Sequence, residues 1–81
     1  MTKVTAADLE VLLASKEGTK IVLEGGRLAV LRPESQPAHV GALTVATRED
    51  LRRRLGEAPA DERMLQEQAE ILNTEISYLG A

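Results

Sequence analysis

The side chains that usually perform catalysis are sparse in this sequence. His39 is the single histidine, no cysteine is present, and none of the three serines lies in a nucleophile-elbow pattern. A protein metal site needs three or four converging ligands, and no acidic pair accompanies His39 at ligand spacing. We therefore expect a protein that is not an enzyme and that uses neither a metal nor a cofactor.

Two features could in principle hold a phosphate. Gly25-Gly26 lacks the further glycines and the directly following helix of a phosphate-binding loop, so a tight turn accounts for the pair. Arg52-Arg53-Arg54 follows Arg48 by one helical turn, but acidic residues alternate with these arginines and favour a solvated, ion-paired helix face. Phe and Trp are absent, which leaves Tyr78 as the one aromatic side chain and excludes a stacking platform for single-stranded nucleic acid. Any nucleic-acid partner is therefore expected to be duplex DNA, contacted by a dimer.

The 81 residues suffice for one small domain, and their charge is unevenly distributed. Residues 1–33 carry five basic and four acidic side chains, residues 34–60 four of each, and residues 61–81 one basic and five acidic, which gives net charges of +1, 0 and −4. A basic beginning and an acidic end indicate two surfaces with different partners. The first residues lack the apolar run of a signal peptide, and no stretch approaches the ~18 apolar residues of a membrane span. We expect a cytoplasmic protein without a membrane partner.

The pattern of caps, turns and apolar residues predicts an α+β fold. A capping box at Thr5 and Asp8 predicts a first helix over residues 5–17 that stops at Gly18. Gly25-Gly26 joins two apolar runs into a hairpin, in which Glu24 pairs with Arg27 and the strands extend over residues 20–24 and 27–32. The predicted core face of this hairpin consists of Ile21, Leu23, Leu28 and Val30.

The remainder of the chain continues the sheet and then becomes helical. Residues 34–41 are predicted to form a loop, and residues 42–46 a short third strand with Leu43 and Val45 on one side. Thr47 caps a second helix over residues 48–55, and Asp61 caps a third that runs to about Leu79. The predicted organisation is an α+β dimerisation domain over residues 1–56, a hinge over residues 57–60, and an amphipathic acidic helix over residues 61–81.

The third helix carries an apolar arc about 180° wide, opposite an acidic side. Such an arc must be covered by the chain's own sheet, by a second copy or by another protein. The residues that we predict to bind a protein partner lie on this arc: Met64, Leu65, Ile71, Leu72, Ile76, Tyr78 and Leu79.

The stretch Glu17–Pro33, which reads EGTKIVLEGGRLAVLRP, resembles the core of the Phd/YefM-type antitoxins of type II toxin–antitoxin systems. The resemblance covers residues 3–33. Beyond them it holds in outline, since Thr47-Arg48-Glu49-Asp50-Leu51 is similar to the capped helix after that family's sheet. The acidic C-terminal segment is similar to the family's toxin-neutralising tail. Ala6-Ala7-Asp8 lacks the arginine that the family commonly carries early in its first helix.

The resemblance implies a dimeric antitoxin that regulates transcription. Its first half would dimerise through the sheet and first helix and bind operator DNA, and its C-terminal helix would neutralise a toxin. The residues that the resemblance makes candidates for DNA contacts are Lys3, Thr5, Lys20, Arg27 and Arg32. The alternative is a small structural or adaptor protein, also without enzymatic activity, that forms homo-oligomers through its C-terminal helix.

Overall fold

The computed structural model describes residues 3–56 and 60–79. These residues form an α+β fold, as predicted, with an N-terminal helix, a three-stranded antiparallel sheet and two C-terminal helices. The elements are α1 (Ala6–Ala14), β1 (Lys20–Glu24), β2 (Arg27–Leu31), a 3₁₀ helix (Pro33–His39), β3 (Leu43–Thr47), α2 (Arg48–Leu55) and α3 (Glu62–Tyr78).

The start of α1 is as predicted, whereas its end comes earlier. The Thr5 hydroxyl accepts the Asp8 N–H at 3.2 Å, and the Asp8 carboxylate accepts the Thr5 N–H at 2.9 Å, which completes the capping box. The helix ends at Ala14 and not at residue 17, because Ser15 is already extended. Gly18 has a φ of +88° and belongs to the turn that leads into β1, where the Thr19 N–H donates to the Lys16 carbonyl.

The hairpin has the predicted register. All five pairs from Lys20 with Leu31 to Glu24 with Arg27 are present, and Gly25 and Gly26 both take positive φ angles in the turn. On the predicted core face, Ile21, Leu23 and Leu28 are buried and Val30 is partly buried.

The connection from β2 to β3 is a 3₁₀ helix and not the predicted loop. The sheet order is β2-β1-β3, so this connection must cross over the central strand. His39 Nδ1 lies 2.8 Å from Glu24 Oε1, which places the end of the 3₁₀ helix on the side of the sheet that Glu24 faces. Strand alternation puts Val22 on that same side, where it is buried outside the main core cluster. Pro33 at the start and a main-chain turn at Ser35 favour the tight helix.

The third strand begins and ends one residue later than predicted, and it contains a β-bulge. Val22 pairs with Thr44 but Ile21 pairs with Ala46, which leaves Val45 as the extra residue. Both Val45 and Ala46 pack on the main core, so the bulge turns two consecutive side chains towards the helices.

The three α-helices contribute to one apolar core together with the sheet. Thr47 caps α2 by accepting the Asp50 N–H at 3.0 Å, and Gly56 ends the helix with a φ of +75°. Asp61 caps α3 by accepting the Met64 N–H at 2.8 Å. Residues 57–59 lie outside the described residues, so the hinge at residues 57–60 stays a prediction. No helix in residues 3–56 and 60–79 is long and apolar enough to cross a membrane.

Candidate functional site

One face of α3 packs on the chain's own core. The buried residues Leu65, Ala69, Leu72 and Ile76 recur at spacings of three and four, which places them on one side of the helix. They join the same apolar cluster as residues of α1, α2 and the sheet. The chain itself therefore covers one side of the predicted apolar arc.

A polar clamp adds to this packing. The Asn73 side chain accepts the Val4 N–H at 2.8 Å and donates to the Val4 carbonyl at 2.9 Å. The clamp satisfies both backbone groups of a buried residue and ties the segment before α1 to α3. Sequence reasoning missed it, since no local pattern connects residues 69 positions apart.

The other flank of the arc remains exposed and forms the candidate interaction surface. Ile71 is 46% exposed and Tyr78 is 88% exposed, while Met64 is partly buried. These three residues are spaced seven positions apart, which is about two helical turns, so they lie nearly in line along α3. Between successive members of this line the sequence places an acidic residue, Glu67 and then Glu75. We call this surface the outer stripe, and its members are Met64, Glu67, Ile71, Glu75 and Tyr78.

The structure thus divides the seven residues predicted to bind a partner. Leu65, Leu72 and Ile76 lie in the chain's own core and are not accessible in this fold. The remaining four lie outside it or at its margin: Met64, Ile71, Tyr78 and Leu79. Partner binding itself stays a prediction, and of the seven predicted residues only these four are accessible to a partner in this conformation.

The acidic side chains of the outer stripe make exposed ion pairs within the chain. Glu67 Oε1 lies 3.4 Å from Arg63 Nε, and Glu75 Oε1 lies 3.9 Å from Arg54 Nη2 of α2. Both pairs are solvent-accessible, and such pairs contribute only about 0–1 kcal/mol. They can therefore be exchanged for the cations of another molecule at little cost.

The arginines of α2 are largely committed to nearby acids. Arg53 donates to Asp50 at 3.0 Å, and Arg48 lies 3.8 Å from Glu49 while its Nε donates to the Leu13 carbonyl at 3.3 Å. Together with the Arg54 pair described above, these contacts match the ion-paired helix face that the sequence indicates.

The five predicted DNA contacts do not form one patch. Lys20 and Arg32 lie at the end of the hairpin where Lys20 pairs with Leu31, whereas Arg27 lies at the turn, about 13 Å away along a five-residue strand. Thr5 uses its hydroxyl in the cap of α1, and Lys3 is exposed just before it. DNA binding stays a prediction, and within one protomer Arg27 lies at the opposite end of the hairpin from Lys20 and Arg32.

Two further features of the described residues are His39 and a groove beside α1. His39 contacts Glu24 at the surface, and no cluster of three or more metal-ligating side chains occurs among the described residues. An open groove of about 430 Å³ lies between the start of α1 and α3. It is lined by residues 4–7 and by five residues of α3: Glu62, Gln66, Ala69, Glu70 and Asn73.

Comparison of the chain with protein-family models, with curated proteins and with solved structures finds no match in any of the three.

Proposed function

We propose that this chain is an antitoxin-like protein that binds a basic partner protein through the outer stripe of α3 and blocks the partner's activity. The observation that carries the proposal is the exposure of Ile71 and Tyr78, in line with the partly buried Met64, on a helix whose other face packs in the core. The resemblance of residues 3–33 to the Phd/YefM-type antitoxins supports the same class of function.

The charge of the helix favours a basic partner. Residues 61–81 carry a net charge of −4, and Glu67 and Glu75 lie one turn before and after Ile71. A partner with lysines or arginines around an apolar groove would replace the weak internal ion pairs and be attracted over distance. Enzymes that act on nucleic acid carry such basic surfaces, because they must bind phosphates.

The apolar members of the stripe supply the contact area. Tyr78 projects almost wholly into solvent, and tyrosine is enriched among the residues that dominate binding energy at protein interfaces. Ile71 adds aliphatic surface one heptad earlier on the same line. Because α3 is already folded and docked, the partner meets a formed helix, and less conformational entropy is lost on binding.

The same observations disfavour the alternative of a homo-oligomer built on this stripe. Packing two copies of α3 face to face would bring the acidic residues of one stripe close to those of the other, and like charges across an interface are unfavourable. A basic partner of different sequence turns the same charges into attraction. The adaptor hypothesis therefore becomes one outcome of the experiment below.

The experiment co-expresses this chain with the product of the adjacent reading frame and records growth and complex formation. We expect that product to arrest growth when expressed alone, and this chain to bind it and restore growth. Ile71→Glu should abolish both effects. Val11→Glu is the matched control, because Val11 is an exposed aliphatic residue on α1, and it should behave as wild type.

Three results would contradict the proposal. The first is an adjacent product that neither binds this chain nor arrests growth. The second is a complex that Ile71→Glu leaves intact while circular dichroism shows a native fold. The third is a wild-type chain that self-associates and becomes monomeric in Ile71→Glu, which would support the adaptor hypothesis.

A further inference from the structure

We propose that the 3₁₀ helix Pro33–His39, which we call the strap, opens as a unit from the second face of the sheet while the helices and strands stay folded. Opening uncovers an apolar surface formed by Val22 and Leu31, which the closed strap shields from water. This surface lies on the side of the sheet away from the main core, so the inference stands or fails independently of the partner proposed for the outer stripe.

The helices cover one face of the sheet, and the strap covers the other. Alternation along β1 and the pairing of Lys20 with Leu31 place Val22 and Leu31 on the same face. Val22 is 1% exposed although it lies outside the main core cluster, and Leu31 is partly buried. The contact of His39 with Glu24 places the strap on this face. The strap is therefore the segment that buries Val22.

Polar contacts near the protein surface hold the strap in place. None of its own residues is buried. Gln36 Nε2 donates to the Gly18 carbonyl at 2.7 Å, and Lys16 Nζ lies 2.8 Å from Glu34 Oε2. This ion pair and the histidine contact at the other end of the strap are both accessible to solvent, and such pairs contribute little to stability.

The three α-helices are held differently, because each contributes buried apolar side chains to the core. A segment with few buried contacts and exposed hydrogen bonds opens at a smaller cost in free energy than the whole fold. Both connections of the strap are exposed as well, at Arg32 before it and at Val40 and Gly41 after it. Their backbone angles can therefore change without disturbing the core.

The first test measures how fast a thiol under the strap reacts. The sequence contains no cysteine, so Val22→Cys introduces a single thiol. Ile21→Cys is the matched control, because Ile21 is the neighbouring buried residue of β1 and belongs to the main core. We expect iodoacetamide to label Val22→Cys at least about tenfold faster than Ile21→Cys, since the first thiol needs only the strap to open and the second needs the core to unfold.

Two further substitutions separate local opening from global unfolding. Leu72→Ala weakens the core and should accelerate labelling of Ile21→Cys at least about thirtyfold. It should leave Val22→Cys unchanged, because α3 stays docked when the strap opens. Gln36→Ala removes a hydrogen bond of the strap and should accelerate labelling of Val22→Cys roughly fivefold. Low concentrations of urea should accelerate Ile21→Cys steeply and Val22→Cys little, because local opening exposes less surface.

Hydrogen exchange of the unmodified chain gives a second readout, which applies even if a cysteine variant fails to fold. The Ser35 amide donates to the Arg32 carbonyl and the Ala42 amide to the His39 carbonyl, at the two ends of the strap. Exchange of these two amides should depend little on urea, whereas exchange of the Leu72 amide in α3 should accelerate with it.

The inference is overturned if Val22→Cys is labelled as slowly as Ile21→Cys, or if Leu72→Ala accelerates both to the same extent. It is also overturned if Val22→Cys reacts at the rate of an unprotected thiol, because the strap would then not cover this position. In the unmodified chain, strap amides whose exchange depends on urea as steeply as that of the Leu72 amide would exclude local opening.

Discussion

Two single alanine substitutions at neighbouring positions of α3 test which face of the helix packs on the core. Leu72 is 2% exposed and belongs to the core cluster, while Ile71, the next residue, is 46% exposed on the outer stripe. Both changes remove a similar aliphatic volume from the same helical turn. The difference between the two variants therefore reports how α3 docks and not how well it forms a helix.

The expected magnitudes differ several-fold. A domain of this length has a stability of about 4–12 kcal/mol, and Leu→Ala at a buried site costs about 2–5 kcal/mol. With a value of about 3 kcal/mol for Leu72→Ala, the melting temperature should fall by about 12–24 °C. Ile71→Ala loses less buried area and gains helix propensity, so its cost should stay below about 1 kcal/mol.

Thermal and urea unfolding, each followed by circular dichroism at 222 nm, measure both variants against wild type. The urea slope should remain constant, which shows that the stability and not the extent of unfolding has changed. Equal destabilisation by the two substitutions, or a larger effect of Ile71→Ala, would refute the assignment of the core-facing side of α3.

Three further predictions follow from single contacts. Thr19 is fully buried, its hydroxyl has no hydrogen-bond partner among the described residues, and Thr19→Val should raise the free energy of unfolding by about 1 kcal/mol in urea denaturation. Asn73→Ala leaves the buried Val4 N–H and carbonyl without their partner and should cost about 1–3 kcal/mol, with faster hydrogen exchange at the Val4 amide. The Lys16 ammonium lies 2.8 Å from Glu34 Oε2, and its hydrogen bond is the main cause that lowers the pKa of Glu34. This pair therefore stabilises the fold at pH values above the usual glutamate pKa. Its contribution is lost as the pH falls through the lowered pKa. An NMR titration should find the Glu34 pKa closer to its usual range in Lys16→Met, and an unchanged pKa would contradict this cause.

The elements that local chemistry determines could be predicted from the sequence. Gly25-Gly26 predicted the hairpin register, because two glycines with positive φ angles form a two-residue turn that pairs Glu24 with Arg27. That register also places the apolar residues of both strands on one face. The cap residues Thr5, Thr47 and Asp61 located three helix starts, since each offers an oxygen to an otherwise unsatisfied N–H.

Features that depend on packing between distant segments could not be predicted. The early end of α1 has no local signal, because Ser15 is already extended three residues before the turn at Gly18. The 3₁₀ helix reflects a crossing over the sheet that only the strand order reveals. Similarly, the periodicity of α3 marked an apolar arc but gave no means of dividing Leu72 in the core from Ile71 at the surface.

In the structure, α3 packs by one face on its own chain and leaves Ile71 and Tyr78 of the outer stripe exposed. Amide hydrogen exchange of the isolated protein at several concentrations tests the docking most directly. We predict strong protection of the amides at the centre of α3, around Leu65, Ala69 and Leu72, at every concentration. Rapid exchange throughout α3, or protection that appears only at high concentration, would contradict the packing of α3 on its own chain.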